Sequence, residues 1–409
     1  MEKFDYGIIG GGPAGYTAGM MFAKQGKSVI LFEKDKLGGT CLNKGCIPTK
    51  SFLHSSDLFA EINRASAWGI NSENISLDFT KIVEKKNQTV ERIRKSLELA
   101  VKNSGVKVIY AEACIKDKNT ILAEGIEYTV GEIIIATGSK PREIKGLEFD
   151  GDFIINSDNI LELTKLPKSI LIVGSGAIGI EWARILSNFG TEVCIVEMAE
   201  HLIPLADIEV SKRMERIFKQ KKIPFYLNDC IEKMENKTVT LKSGATISPE
   251  KILVAAGRIP ICPKCECSSV LGDACGEIQL AHYAIHQAKS KALGIPFDKN
   301  LVPSVIYGEP EIAWAGLREQ DIDDTYTKSL LPITALGKSW CDDCTDGFIK
   351  IITKENKIYG AHIISKEASS LIHILLTAIQ NNISVNELKK VCFAHPTYAE
   401  GIFDILINA

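Results

Sequence analysis

The sequence predicts an α/β protein in which two similar strand–turn–helix–strand units are joined to a C-terminal α+β domain. Three observations carry that expectation. A glycine-rich segment occurs twice with the same internal spacing. Two short apolar runs, Glu132–Lys140 (EIIIATGSK) and Lys251–Ile259 (KILVAAGRI), follow the two copies. The chain beyond residue 299 changes character and has no such glycine pattern. A chain of 409 residues is also too long for one ordinary core.

The repeat is detailed. Asp5–Lys34 (DYGIIGGGPAGYTAGMMFAKQGKSVILFEK) is matched by Ser169–Met198 (SILIVGSGAIGIEWARILSNFGTEVCIVEM), so that Gly10, Gly12, Gly15, Gly26 and Glu33 fall on Gly174, Gly176, Gly179, Gly190 and Glu197. Each copy reads as an apolar strand, a tight turn, an amphipathic helix and a second strand ending in an acid. The first glycine permits the turn, the second lets backbone N–H groups approach a pyrophosphate, and the third lets the helix pack close on the strand. The terminal glutamate can accept from ribose hydroxyls. Two copies with complete surroundings predict two Rossmann-like dinucleotide-binding domains. After Glu197 come Met198, Ala199 and Glu200, with no arginine, so a 2′-phosphate would meet a carboxylate and NAD is favoured over NADP.

Between the copies, Phe79–Asn103 is polar and helix-patterned, an extra arm on the first domain. Glu132–Lys140 and Lys251–Ile259 are buried strands that close each nucleotide unit. Strands Gly347–Thr353 and Ile358–Ser365 and helices Ser369–Asn381 and Val385–Val391 make the α+β domain.

Composition excludes several partners. A net charge of −3, with 45% hydrophobic and 24% charged residues, suits a globular protein and offers no surface for nucleic acid or anionic membrane. The N-terminus lacks the basic-then-apolar order of a signal peptide, and no run approaches the roughly 18–20 apolar residues that span a bilayer. A cytoplasmic location is the expectation. Among the 12 cysteines, Cys114, Cys194, Cys230 and Cys392 sit between apolar neighbours and read as inert core thiols.

Chemistry concentrates in Gly38–Lys50, GGTCLNKGCIPTK. Gly38, Gly39 and Gly45 let the chain bend so that Cys41 and Cys46 could meet at disulfide distance. Pro48 suits the first turn of a following helix, where the missing N–H costs nothing, and a thiol near that helix start has its thiolate favoured.

This segment resembles the redox-active stretch of the pyridine nucleotide–disulfide oxidoreductases, and its CLNxGCIP form is most similar to the dihydrolipoamide dehydrogenases. The resemblance continues through both glycine units, the ATG and AAGR segments, Gly272–Asp273, Gln279–Ala284 (QLAHYA), Glu309–Gly316 (EPEIAWAG) and His395–Glu400 (HPTYAE). It implies an FAD-binding domain over residues 1–145, completed by a shortened second part over 261–298. It implies an NAD-binding domain over 146–260 and an interface, or dimerisation, domain over 299–409. Glu33 would hold the FAD adenosine ribose and Asp273 its ribityl chain, with Gly10, Gly12, Gly15, Thr40, Lys50, Thr137, Gly138 and Ala281 as further FAD contacts. Gly174, Gly176, Gly179, Glu181, Glu197 and Gly257 would face NAD. Cys41 would be the thiol that exchanges with substrate, Cys46 the thiol against the flavin, and Lys50 a cation near flavin N5 that pairs with Glu181. His395 and Glu400 would form the acid–base pair, with the histidine supplied by the partner of a homodimer. The implied reaction oxidises dihydrolipoamide on a lipoylated carrier, a 2-oxoacid dehydrogenase E2 or a glycine cleavage H protein, through a Cys41–Cys46 disulfide and FAD to NAD⁺.

The sequence departs from that pattern in places. Between Arg258 and Gly272 (IPICPKCECSSVL) it is markedly short, and only Ser268–Leu271 could form the strand leading to Asp273. Smaller shortenings fall at Gln320–Ser329 and after Glu400. The first threatens FAD retention, and the last would weaken the dimer that places His395. The alternatives are therefore another flavin disulfide reductase, glutathione- or mercuric-type, or a flavin-deficient, non-catalytic NAD-binding protein. Cys262, Cys265, Cys267 and Cys275 crowd one loop and could seed a metal site; the family uses none there, and no metal is expected.

Overall fold

The computed structural model describes residues 3–263 and 269–407. The chain divides into two units, Met1–Leu166 with Ala256–Phe297, and Pro167–Ala255 with Asp298–Ala409.

In the first unit the central strand Lys3–Ile9 lies parallel to Val29–Phe32 on one side and to Ile126–Ile135 on the other, with Lys107–Ile109 beyond Val29–Phe32. Val29–Phe32 and Ile133–Ile135 are buried throughout, as parallel strands covered on both faces must be. One face is covered by the helices Pro13–Lys24 and Ala281–Leu293, whose small residues Ala14, Ala18, Ala284 and Ala288 share a core with Phe22, Leu31 and Ile134. The other carries Ile9, Ile30, Phe32, Ile121 and Ile133. A helix occupies Phe79–Asn103, the bounds expected from its pattern, and Asp78 caps it by accepting from the Lys81 N–H at 3.1 Å.

In the second unit four parallel strands run in the order Phe225–Tyr226, Glu192–Val196, Ser169–Val173, Lys251–Val254, with the helix Ala177–Asn188 following the second glycine turn. The C-terminal part is an antiparallel sheet ordered Ser304–Ile306, Glu311–Gly316, Lys357–Ser365, Phe348–Lys354, Thr327–Pro332. The helices Ala368–Gln380 and Glu400–Ile407 share its apolar core, including Ile349, Ile363, Leu375, Tyr398 and Ile402. The fold is the α/β class with a C-terminal α+β domain that the sequence predicts.

Two expectations need correction. Cys114 and Cys392 are exposed rather than core thiols. Cys114 points outward from the strand Ala113–Asp117, and Cys392 follows the short helix Val385–Leu388 in a loop, so apolar sequence neighbours there do not imply burial. Cys265, Cys267 and Ser268, and with them two of the four clustered thiols, lie outside the described residues. Among the described residues no helix is long and apolar enough to cross a membrane.

Candidate active site

The first glycine turn is built by close backbone approach. A Cβ on Gly15 would stand 1.8 Å from the Gly10 carbonyl oxygen, so no larger residue fits there. Glu33 ends the second strand and accepts from Gly11 N–H at 2.7 Å and Asp35 N–H at 2.8 Å. The second copy repeats this: a Cβ on Gly179 would lie 2.1 Å from Gly174 O. Glu197 accepts from Ser175 N–H and Oγ–H, both at 2.8 Å, and from Ala199 N–H at 2.9 Å. A carboxylate has about four lone-pair positions, so each acid keeps acceptor capacity for ribose hydroxyls.

The cysteine segment is fastened to the first turn. Gly38 N–H donates to Gly11 O at 2.8 Å, and a Cβ on Gly39 would stand 2.6 Å from Gly12 Cα. Asn43 Nδ2 holds the bend by donating to Leu37 O at 3.1 Å and Gly39 O at 3.0 Å. Cys41 and Thr40 lie in the short helix Gly39–Lys44, and Cys46 opens the helix Cys46–Arg64, with Pro48 in its first turn and Lys50 one turn on. Both cysteines are present as thiols. Cys41 is pushed far above the ordinary thiol range, first by its hydrogen bond to Cys46, then by burial and the Cys46 charge, while Lys50 acts in the opposite direction. Burial, followed by the charges of Cys41 and Cys46, also raises the Tyr16 phenol.

The shortened segment is tied at both ends. On one side Arg258–Pro260 pairs antiparallel with Ser139–Pro141, Ile261 N–H donates to Gly138 O at 2.9 Å, and Thr137 Oγ1 donates to Ile261 O. On the other, Ser269–Val270 runs parallel to Ile134–Ile135, and Leu271 N–H donates to Ile135 O at 2.8 Å. Gln287 Oε1 accepts from Gly272 N–H at 2.6 Å, and Ala281 opens the helix that carries Gln287. Asp273 thus follows a supported strand, in the single turn Gly272–Cys275, despite the missing residues, and its Oδ2 accepts from Ser139 Oγ at 2.5 Å. Sequence reasoning missed Ser139, Arg258 and Asn43. The one available signal was that Ser139 and Arg258 occupy the same place in ATGS and AAGR.

In the second unit Glu181 is buried on the helix Ala177–Asn188 and accepts from Tyr307 N–H at 3.2 Å. Gly257, expected at NAD, falls in the first unit, where its carbonyl accepts from Arg142 N–H at 3.0 Å. His395 and Glu400 do meet: Nδ1 lies 2.8 Å from Glu400 Oε2, with the imidazole 77% exposed and the carboxylate largely covered. Glu400 begins the helix Glu400–Ile407, so the turn His395–Ala399 folds back onto a helix start. A carboxylate on Nδ1 leaves Nε2 as the outward basic atom.

A pyridine nucleotide-disulphide oxidoreductase family model matches residues 4–284, and the dimerisation domain model of the same family matches residues 302–404. The chain belongs to the pyridine nucleotide-disulphide oxidoreductase family. It is 32% identical to a dihydrolipoyl dehydrogenase of Bacillus subtilis (strain 168), across 100% of this chain and 98% of that one. It is 30% identical to the mitochondrial dihydrolipoyl dehydrogenase of Pisum sativum, across 98% and 90%. Among solved structures, LpdA from Mycobacterium tuberculosis superposes with a TM-score of 0.90 at 23% identity, covering 99% of each chain. The HOCl-induced flavoprotein disulfide reductase RclA from Escherichia coli gives 0.86 at 22% identity, again covering 99% of each. The chain is accordingly an FAD-dependent oxidoreductase acting on a sulfur group, with FAD and NAD as its cofactors. The residues present fit both groups. Gly12 and Gly176 are extended at the starts of their helices, and a Cβ on Gly176 would meet nothing within 4 Å, which leaves a cradle for phosphate.

Proposed function

We propose that this protein is a dihydrolipoamide dehydrogenase: it oxidises dihydrolipoamide on a lipoylated carrier and reduces NAD⁺. The observation that carries the reading is the Cys41–Cys46 thiol pair, hydrogen-bonded and fastened directly to the first glycine turn. One substrate thiolate attacks Sγ of Cys41 in the oxidised enzyme, breaking the Cys41–Cys46 bond and releasing Cys46 as thiolate. The second substrate thiol then attacks the substrate sulfur of the mixed disulfide, closing the lipoamide ring and freeing Cys41. Two electrons have moved to the cysteine pair, and one substrate proton passes to His395 Nε2. Held by the Gly10–Gly15 turn, Glu33 and Asp273, FAD would supply the redox chemistry that links the reduced cysteine pair to NAD⁺. The second substrate proton passes to the freed Cys41 sulfur, and Cys46 keeps the negative charge.

The reading places His395 in a site completed by a second copy, a homodimer, consistent with the dimerisation domain match and with the exposure of the imidazole. It makes the carrier an E2 or H protein and the compartment the cytoplasm. Glu197 supports NAD over NADP, since its carboxylate stands where a 2′-phosphate would come. His395→Gln is expected to lower kcat/KM for dihydrolipoamide by roughly 10²–10⁴-fold, the usual weight of a positioned acid–base group, with flavin content unchanged. Glu400→Gln should cost less, because the imidazole remains.

The test is reduction of NAD⁺ by dihydrolipoamide, with NADP⁺ and with NADH-driven reduction of glutathione disulfide alongside. Preference for dihydrolipoamide and NAD⁺ supports the reading. A flavin-loaded protein that ignores dihydrolipoamide and reduces another disulfide would replace the substrate. A purified protein that takes up no FAD would remove the flavin route altogether.

A further inference from the structure

A half-buried guanidinium contacts the residues expected at the flavin and has no part in the reaction above. Arg258 donates from Nε to Ser139 Oγ at 2.8 Å and from Nη2 to Ser139 O at 2.8 Å, and it reaches Ser157 Oγ from Nη1 at 3.3 Å. Each of those hydroxyls hands its own proton to a carboxylate: Ser139 to Asp273 at 2.5 Å, and Ser157 to Asp158 at 3.4 Å. Both serines are buried, at 7% and 9% exposure. Cation, hydroxyl and carboxylate thus form two polarised chains sharing one arginine, and such chains strengthen one another where water is excluded. The segments bearing them are paired strands, Arg258 opposite Pro141 and Pro260 opposite Ser139, so the backbone fixes the guanidinium against its serine. Burial lowers the arginine, and the charges of Asp158 and Asp273 oppose that.

We propose that Arg258 is the positioning residue of the flavin site: through Ser139 it fixes the Asp273 carboxylate for the ribityl chain. This rests on the reading of Asp273 as an FAD ligand. Lysine could supply the charge but not the forked contact to Ser139 Oγ and O together.

The experiment titrates FAD into apoprotein of Arg258→Met, Arg258→Lys, Ser139→Ala and Asp273→Ala, with folding followed by circular dichroism. Arg258→Met and Ser139→Ala should each weaken FAD binding about tenfold, the weight of one charge-assisted hydrogen bond. Neither should add, in the double variant, to the loss caused by Asp273→Ala. Arg258→Lys should not rescue the loss, because it keeps the charge but lacks the fork. If the losses simply add to Asp273→Ala, or Arg258→Lys binds FAD as tightly as the parent protein, the proposal is overturned while Asp273 keeps its role. If Asp273→Ala binds FAD normally, the reading of Asp273 fails first. Should Arg258→Met not fold, Ser139→Ala and Arg258→Lys decide the same points.

Discussion

Cys46→Ser is expected to abolish dihydrolipoamide-dependent reduction of NAD⁺, a loss of at least about 10³-fold, because a serine oxygen cannot form or release the disulfide. Cys41→Ser should lose as much, and the double variant no more than either single one, since the two sulfurs act as one unit. The arrangement argues that the two failures differ in kind. Cys46 opens the helix Cys46–Arg64, where unsatisfied N–H groups favour a thiolate, and Cys41 is hydrogen-bonded to it. Removing Cys46 takes away the group that would carry the charge, so Cys41 is left as an ordinary buried thiol. Removing Cys41 leaves the Cys46 thiolate in place but with nothing to receive substrate. NADH oxidation by a small electron acceptor that draws directly on the flavin should survive in both variants. Its loss would mean that the substitutions damage flavin binding, and the assignment of the cysteines would then rest on nothing. Retained dihydrolipoamide activity in either variant would sink the disulfide mechanism.

The parts of this molecule legible in the sequence are those encoded locally. Gly10, Gly15 and Gly179 announce their turns because only glycine tolerates the approach of a carbonyl to about 2 Å of the missing Cβ, and Gly174 because its φ is 104°. Cys41 and Cys46 lie within one bend, and His395 and Glu400 within one turn, so spacing alone brings each pair near. The strand inside the shortened segment was also foreseeable, since Ser269–Val270 is the one stretch left to pair with Ile134–Ile135. Residues that work through distant partners were not foreseeable. Arg258 and Ser139 are 119 positions apart, and each reads alone as an ordinary polar residue of a strand end. Lys350 and Asp207, 143 positions apart, look like surface charges and are instead almost fully buried. Periodicity did place Lys350 on a strand, but a strand buried on both faces carries no alternation to show which charge is inside.

Lys350→Met is expected to be the most destabilising single change in the second unit, costing about 3–5 kcal/mol by leaving a buried carboxylate without its cation. Asp207 is 0% exposed and caps the helix Ile208–Gln220 by accepting from Glu209 N–H at 2.9 Å. Its Oδ1 lies 2.6 Å from Lys350 Nζ, and its Oδ2 accepts from Glu319 N–H at 2.7 Å. Lys350 also meets Glu319 Oε2 at 2.5 Å, and His362 Nε2 stands 3.6 Å from Asp207 Oδ2 and 2.8 Å from Leu317 O. Burial would raise Asp207, but the Lys350 hydrogen bond, the Glu319 N–H and, when it is protonated, His362 hold it below the ordinary carboxylate range. Burial is the main cause that depresses His362, so Lys350 is the cation on which Asp207 depends. Asp207→Asn combined with Lys350→Met should therefore be less damaging than the sum of the single changes. Thermal melting should show Lys350→Met falling by roughly 10 °C. A shift near zero would mean that water reaches the cluster. Both depressed groups give the same sign with pH. The unfolded chain binds a proton at His362 below about 6.5 while the folded one resists it, and at lower pH Asp207 loses its advantage as pH falls through its folded value. Stability of this unit should decline steadily on acidification from that point, and a Lys350→Met/Asp207→Asn protein should keep only the histidine part of the decline.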